Sequence, residues 1–322
     1  MQKRIWGLFF LFFAASTSLQ ADEQETHEII LPPDISPWFT GPLLTRSAYT
    51  VAPPHWSLQP YLYYTVFTGT YDSEWKSHSA PNFYTTTLQI QIKRGLAEGF
   101  DVQFFPQIIY NETLGRGYCN VGDLPVGFGI RLLDSKLEDN WPAMRLAVRA
   151  NVPIGKYQHL NPHRKGTDTI GAGSWLPSIN FHTSKMWKIA TARFFDVRLA
   201  CGYQIGTPVH VKGYNAYGGV SNTNGTVYPG NLFYVNGAIQ CSMTHRWAFA
   251  CDIVYNHSNK TRFSGKAGSS MTSPSNEQFS LAPAIEYNWS KNFGIIGGVW
   301  FTFAGRNANQ FTSGIIALSI YK

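Results

Sequence analysis

Charge is scarce in this chain: 14% of residues are Asp, Glu, Lys or Arg, while 15% are Phe, Trp or Tyr. Soluble domains usually carry about 25% charged residues, so the balance suits a wall facing lipid better than a solvated globule. Cysteine is scarce too. Cys119, Cys201, Cys241 and Cys251 are the four in 322 residues, which excludes a disulfide scaffold. Long apolar runs are missing: the longest, Ile5 to Ala15, falls short of the roughly 20 residues a spanning helix needs. An α-helical membrane protein is thereby excluded. No run of Lys and Arg occurs either, so nothing here tracks a nucleic acid.

What is present begins with an export signal. Lys3 and Arg4 precede the apolar run, and Ser16, Thr17, Ser18 and Ala21 follow it. This reads as a secretory signal peptide over 1–21, with the cleavage point left open by Leu19. Without Lys3 and Arg4 the chain has 24 basic against 19 acidic residues, a diffuse excess. Residues 22–56 open with Asp22, Glu23, Glu25 and Glu28 and continue through Pro32, Pro33, Pro37, Pro42, Pro53 and Pro54. Those prolines forbid a regular strand or helix of useful length. The segment reads as a periplasmic N-terminal arm or plug, anchored by Trp38, Phe39, Leu43, Leu44 and Trp56, with a flexible leader as the alternative.

From 57 onward, apolar residues recur at every second position. Leu58, Leu62, Tyr64 and Val66 share one parity, and Tyr84, Leu88, Ile90 and Ile92 lie opposite Gln89, Gln91 and Lys93. Phe249, Cys251, Ile253 and Tyr255 lie opposite Arg246, Asp252 and Asn256. Apolar side chains then meet lipid and polar ones a lumen. Twelve such segments fit: 58–69, 83–94, 100–111, 124–133, 143–154, 174–184, 187–204, 233–243, 246–256, 278–289, 293–304 and 311–321.

Connections alternate in length. Those at 95–98, 185–186, 244–245 and 290–291 are tight and 134–142 is somewhat longer. Those at 70–82, 112–120, 155–170, 205–230, 258–276 and 305–310 are mostly long and rich in Gly, Asn, Ser and Thr. Residues 57–322 therefore read as an all-β fold, a transmembrane antiparallel up-and-down β-barrel of about 12 strands. Short turns face the periplasm and long loops the exterior. A soluble β-sandwich is the rival, but its strands average about 5 to 6 residues.

By parity the lumen-lining candidates are Lys93, Arg131, Arg145, Arg149, His182, Lys188, Arg198 and Arg246, with Asp101, Asp196, Asp252 and Glu286. Such residues either bias a pore toward anions or pair with one another inside a plugged barrel. Twelve strands give an intermediate width, so the arm and loops decide what passes.

Several short motifs carry a resemblance in their order and spacing: Phe39-Thr40-Gly41-Pro42-Leu43-Leu44, Leu58-Gln59-Pro60-Tyr61-Leu62, Arg94-Gly95-Leu96, Gly122-Asp123-Leu124, Val152-Pro153-Ile154-Gly155-Lys156, and Gly166-Thr167-Asp168 through Gly173-Ser174. Over roughly 39–210 the chain resembles the family named Putative MetA-pathway of phenol degradation. The resemblance implies an outer-membrane barrel associated with uptake of small, often aromatic or apolar compounds. The chain departs from many bacterial barrels in ending on Lys322 after Tyr321, rather than on an aromatic residue.

Enzymatic and metal readings are weaker. His182 and Ser184 share a parity that faces the lumen rather than lipid. In Tyr255-Asn256-His257-Ser258-Asn259, which superficially matches the His-x-Ser-Asn motif of outer-membrane phospholipases, adjacent side chains point to opposite faces. A nucleophile and base must come within roughly 3 Å, so no lipid hydrolase and no enzyme is expected. His159 and His163 sit beside Pro162 in a loop and read as plain loop histidines, without metal. Cys241 and Cys251 flank a turn, yet unpaired thiols are the preferred reading. Arg193 would face lipid by parity, at roughly 2 to 4 kcal/mol at the bilayer midplane, so a rim position or a bulge is expected. The expected protein is a bacterial outer-membrane channel for passive uptake of small solutes. Its partners would be outer-membrane lipid and lipopolysaccharide, the solute, and the barrel-assembly machinery, with no cofactor and no nucleic acid. The alternative is a closed barrel whose extracellular loops bind a partner.

Overall fold

The structure is a computed structural model that describes residues 38–190, 193–266 and 271–322. The expected signal peptide and residues 22–37 of the arm lie outside these. The wall begins with β1 (Trp56–Tyr71), β2 (Ser77–Ala97), β3 (Phe100–Phe104), β4 (Gln107–Thr113), β5 (Arg116–Val121) and β6 (Leu124–Leu133). It continues through β7 (Ala143–Val152), β8 (Ser178–Ala190) and β9 (Arg193–Gln204). Outside it lie β10 (Val209–Lys212) and β11 (Asn224–Tyr228), then β12 (Leu232–Ser242) and β13 (Trp247–Ser258) rejoin the wall. After β14 (Arg262–Lys266), the strands β15 (Asn276–Ser290), β16 (Phe293–Arg306) and β17 (Ala308–Tyr321) complete it.

All wall pairings are antiparallel, and β1 pairs with β17 on one side and β2 on the other, which closes the ring. Trp56 and Lys322 exchange both backbone hydrogen bonds at the seam, at 2.6 and 2.9 Å. Two wall strands are broken: β3 and β4 at Phe105-Pro106, where proline has no N–H for the ladder, and β5 and β6 at Gly122-Asp123. Counting each broken pair once, the barrel has 12 strands. No helix among the described residues is long and apolar enough to cross a membrane; strands do the crossing.

The alternation expected from the sequence is plain along β13, where Ala248, Ala250, Asp252 and Val254 are buried while Phe249 and Ile253 are exposed. Leu62, Leu88, Ile108, Ile239, Ile285, Val299 and Ile316 extend the exposed apolar band around the ring. Trp56, Trp141, Trp187, Trp247 and Trp289 are exposed near the short-turn rim, as expected of an interfacial aromatic girdle.

The strand limits differ from the sequence expectation in several places. The tight turn expected at 185–186 is strand, because β8 continues to Ala190. There the buried Lys185 amine donates to Ser135 Oγ at 3.3 Å and the Lys136 carbonyl at 3.0 Å, tying down the 134–142 turn. The loops expected at 70–82, 112–120 and 305–310 are mostly strand, since β1, β2, β4, β5, β16 and β17 run on to short hairpin turns. The 205–230 and 258–276 connections contain β10, β11 and β14, which form a small separate sheet. Arg193 opens β9 as an exposed residue next to a register shift between Lys188 and Ala190. Rim position and bulge therefore occur together.

Candidate functional site

The described part of the arm enters the barrel. A proline-rich segment cannot join a ladder, so its buried N–H groups need other acceptors. Inward-facing side chains of four wall strands supply them. Thr45 N–H donates to Asp252 Oδ1 at 2.7 Å, Ala48 N–H to Ser184 Oγ at 3.1 Å and Val51 N–H to Asp101 Oδ2 at 3.1 Å. Thr40 N–H donates to Glu286, and Asn288 Nδ2 donates to the Trp38 carbonyl at 2.8 Å.

Packing completes the seat. Leu43 is buried against Tyr61, Ala250, Ala282, Ala284, Ile296, Ile315 and Ala317; the alanines leave room that larger inward residues would fill. Burying such a leucine contributes roughly 1.5–3 kcal/mol. Gly95 lets the wall backbone meet the arm, since a Cβ there would lie 2.4 Å from the Ala52 carbonyl carbon. Gly41 has φ +102, and a Cβ would lie 2.7 Å from Arg198 Nη1; glycine alone admits both the left-handed backbone and the guanidinium.

Above this floor lies a chamber of about 430 Å³, within the range of small-molecule sites. Arm residues Thr40 to Ser47 form one side of it, with Pro42, Leu43, Leu44, Thr45 and Arg46 among the lining. The wall contributes Lys93, Arg149, His182 and Arg198, together with Gln89, Gln91, Tyr61, Tyr63, Tyr234 and Trp300. Toward the long loops a second cavity of about 510 Å³ is lined by Phe67, Pro81, Phe83, Ile109 and Asn111. The lumen is thus apolar near its outer end and basic further in.

The structure sorts the twelve lumen candidates into three groups. Lys93, Arg149, His182 and Arg198 line the chamber. Asp101, Arg145, Asp196, Asp252 and Glu286 are inward and buried but engaged by the arm or by one another. Arg145 pairs with Asp101, and its Nη1 donates to the Tyr49 carbonyl at 3.2 Å; Arg198 Nε donates to Asp196 Oδ2 at 2.8 Å. Arg131, Lys188 and Arg246 do not line the chamber. Arg131 pairs with Glu98 at 2.7 Å and Asp134 at 3.1 Å beside a short turn. Lys188 is exposed near the end of β8. Arg246 is exposed beside the β12–β13 turn with its guanidinium 5.9 Å from the Trp38 ring centre. Parity selects a face of a strand but not a height, and these three lie at the rim.

Arg46, Tyr61, Tyr63, Tyr234 and Trp300 line the chamber without having been among the candidates. Tyr61 and Tyr63 carry the inward parity of β1, a signal that was legible; Arg46 lies in the aperiodic arm, where no parity exists.

Of the motifs behind the family resemblance, Phe39–Leu44 and Leu58–Leu62 contribute to the chamber, and those at 122–124, 152–156 and 166–174 form a loop clasp outside it. Asp123 accepts Gly155 N–H at 2.9 Å and Ala172 N–H at 2.8 Å, while Asp168 accepts Lys156 Nζ and Asn161 N–H, both at 2.9 Å. Beside them, Val209, Val211, Val227 and Met271 pack with Tyr157, Tyr217 and Phe263. Burial, reinforced by the Asp123 and Tyr157 charges, pushes the Tyr217 hydroxyl up to about 12. His159 and His163 are exposed in this loop, and among the described residues no group of three metal-ligating side chains gathers.

Among the described residues neither His182 with Ser184 nor His257 with Ser258 forms a nucleophile–base pair. Neither ring nitrogen of His182 has a partner among the described residues, and Ser184 Oγ takes the arm's Ala48 N–H. His257 faces Asn259 at 3.3 Å and Glu277 at 3.4 Å rather than Ser258. All four cysteines are free, and Cys241 and Cys251 are cross-strand neighbours of Phe249 and Ile239 rather than of each other.

The model of the family Putative MetA-pathway of phenol degradation matches residues 117–272, in accord with the motif resemblance. Among solved structures the chain is similar to an outer membrane channel from Pseudomonas putida F1, with TM-score 0.66 and 10% identity over 88% of this chain and 100% of that one. That likeness shows the fold, an outer-membrane barrel. The NanC porin, at TM-score 0.42, 10% identity and coverages of 82% and 98%, and the P. putida toluene transporter TodX, at 0.33, 9%, 84% and 90%, are looser likenesses. No curated protein matches the chain.

Proposed function

We propose that this outer-membrane barrel is a channel for passive uptake of small solutes, aromatic or apolar-bodied ones included, with the arm narrowing the route. The carrying observation is the pair of cavities stacked in the lumen: an outer one lined by Phe67, Phe83 and Ile109 and an inner one floored by Leu43, Leu44 and Thr45. A barrel stabilised only as a scaffold gains nothing from such voids, which forfeit packing contacts. The family matched over 117–272 is named for phenol degradation, which supports an aromatic body for the solute.

Single-channel conductance of the mature chain in a planar bilayer tests this, beside a chain lacking residues 22–56. Steps in the full chain are expected, larger in the truncated one. Silence in both would overturn the channel reading and favour a closed barrel whose loop sheet binds an outside partner.

A further inference from the structure

We propose that the inner chamber is a binding site for a small organic anion, its carboxylate held between Arg46 of the arm and Lys93 and Arg149 of the wall; this rests on the channel reading and names the solute class. The chamber lining includes four cationic side chains, Arg46, Lys93, Arg149 and Arg198, and no Asp or Glu. Each inward carboxylate already has a partner, Asp252 through Oδ1 alone and Asp196 through the lining residue Arg198. Asp101 takes Arg145, Val51 N–H and Gln103; Asp196 takes Arg198; Asp252 takes Thr45 N–H; and Glu286 takes Thr40 N–H, Gln240 and Asn288.

The remaining cations converge. Arg46 and Arg149 face one buried ring, Phe105, at 4.5 and 6.0 Å from its centre. Arg46 Nη1 and Arg149 Nη2 are buried donors without a hydrogen-bond partner among the described residues. Among the described residues the Lys93 side chain makes neither hydrogen bond nor ion pair. His182 adds two unpartnered ring nitrogens on a side chain 1% exposed. Like charges and unpartnered buried donors gathered on one chamber wall favour an occupant of opposite charge. A carboxylate answers this set, because two guanidinium forks and an ammonium offer charge-assisted hydrogen bonds to its two oxygens.

The other lining residues choose the body of that anion. Tyr61 and Tyr63 stack at 5.6 Å, and with Trp300, Leu43 and Leu44 they give the chamber an apolar side. The favoured occupant has a charged end and an apolar body, as an aromatic or short aliphatic monocarboxylate does. Arg46 belongs to the arm, so the arm is part of the site as well as its floor.

The test is calorimetric titration of the refolded mature chain in detergent with benzoate, with benzyl alcohol as its uncharged counterpart, and with benzoate in the presence of equimolar chloride. Benzoate is expected to bind about tenfold or more tightly than benzyl alcohol, the size of one charge-assisted contact, and chloride at equal concentration should not displace it. Lys93→Gln and Arg149→Gln should each weaken benzoate about tenfold and leave benzyl alcohol unchanged. Equal binding of the two ligands, or displacement by equimolar chloride, overturns the site. So does undiminished benzoate binding by both variants. Where a variant fails to fold, judged by loss of the heat-modifiable mobility of the native barrel, the comparison of ligands on the unaltered chain still decides. Conductance without benzoate preference would retain the channel and remove the anion site; benzoate binding without conductance would do the reverse.

Discussion

Arg145 on β7 and Asp101 on β3 form an ion pair sealed from solvent, and the same carboxylate accepts the Val51 N–H of the arm at 3.1 Å. One side chain thereby serves wall and plug together. The lumen carboxylates act as mounting points for the arm, whereas Lys93 and Arg149 in the chamber wall have no carboxylate partner among the described residues. That asymmetry makes the chamber basic although both signs point inward.

Removing Asp101 should be costly. Asp101→Ala leaves Arg145 buried without its counter-ion, a loss of about 3 to 5 kcal/mol, visible as a lower urea midpoint of the folded barrel. The double variant Asp101→Ala with Arg145→Met should recover part of the loss, because no charge is then stranded.

The arm should loosen when its leucine is cut back. Leu43→Ala removes a buried side chain at about 2–5 kcal/mol, a cost that falls on the seating of the arm. Conductance of this variant should show more open time than the parent chain, approaching the chain without 22–56. An unchanged record would mean that the hydrogen bonds to Asp252, Ser184 and Asp101 alone hold the arm.

Asp123→Ala should free the 155–172 loop while leaving the ring closed. Two backbone N–H groups, of Gly155 and Ala172, lose their acceptor, each at about 1–3 kcal/mol when left unsatisfied. Trypsin should then cut at Lys156, Arg164 or Lys165 in the folded barrel, while heat-modifiable mobility persists.

The β1–β2 hairpin tip should resist acid. Asp72 accepts hydrogen bonds from the His78 ring, Lys76 N–H and Glu74 N–H, which together hold its carboxyl down at about 2. Since the folded value lies below the ordinary one of roughly 3.9, the contribution is fully present above that ordinary value and disappears as pH falls through about 2. Hydrogen exchange of the Glu74 and Lys76 amides should stay slow at pH 3 and quicken only near pH 2; quickening already at pH 4 would contradict the Asp72 network.

Much of the wall was legible in the chain itself. The opposition of Phe249 and Ile253 to Asp252 requires only that strand side chains alternate, and twelve such segments with an even count already imply a closed ring. Prolines 42, 53 and 54 told that the arm could not be strand, and Arg193 advertised its rim position by violating the parity. The end of β8 was misplaced for a related reason: Ser184-Lys185-Met186 looks like a turn until the backbone of 134–142 is seen accepting the Lys185 amine.

Only the tertiary structure decided what the inward charges do. Asp101, Asp252 and Glu286 share a parity with Lys93 and Arg149, and nothing local distinguishes them. Ring closure brings β3, β8, β13 and β15 around one aperiodic segment, whose N–H groups take up the acids and whose Arg46 joins the bases. Alternation is a property of two neighbouring residues, written in the sequence. The height of a side chain in the barrel, and which strands face each other across the lumen, depend on register and closure among residues more than 200 apart, as for Thr45 and Asp252.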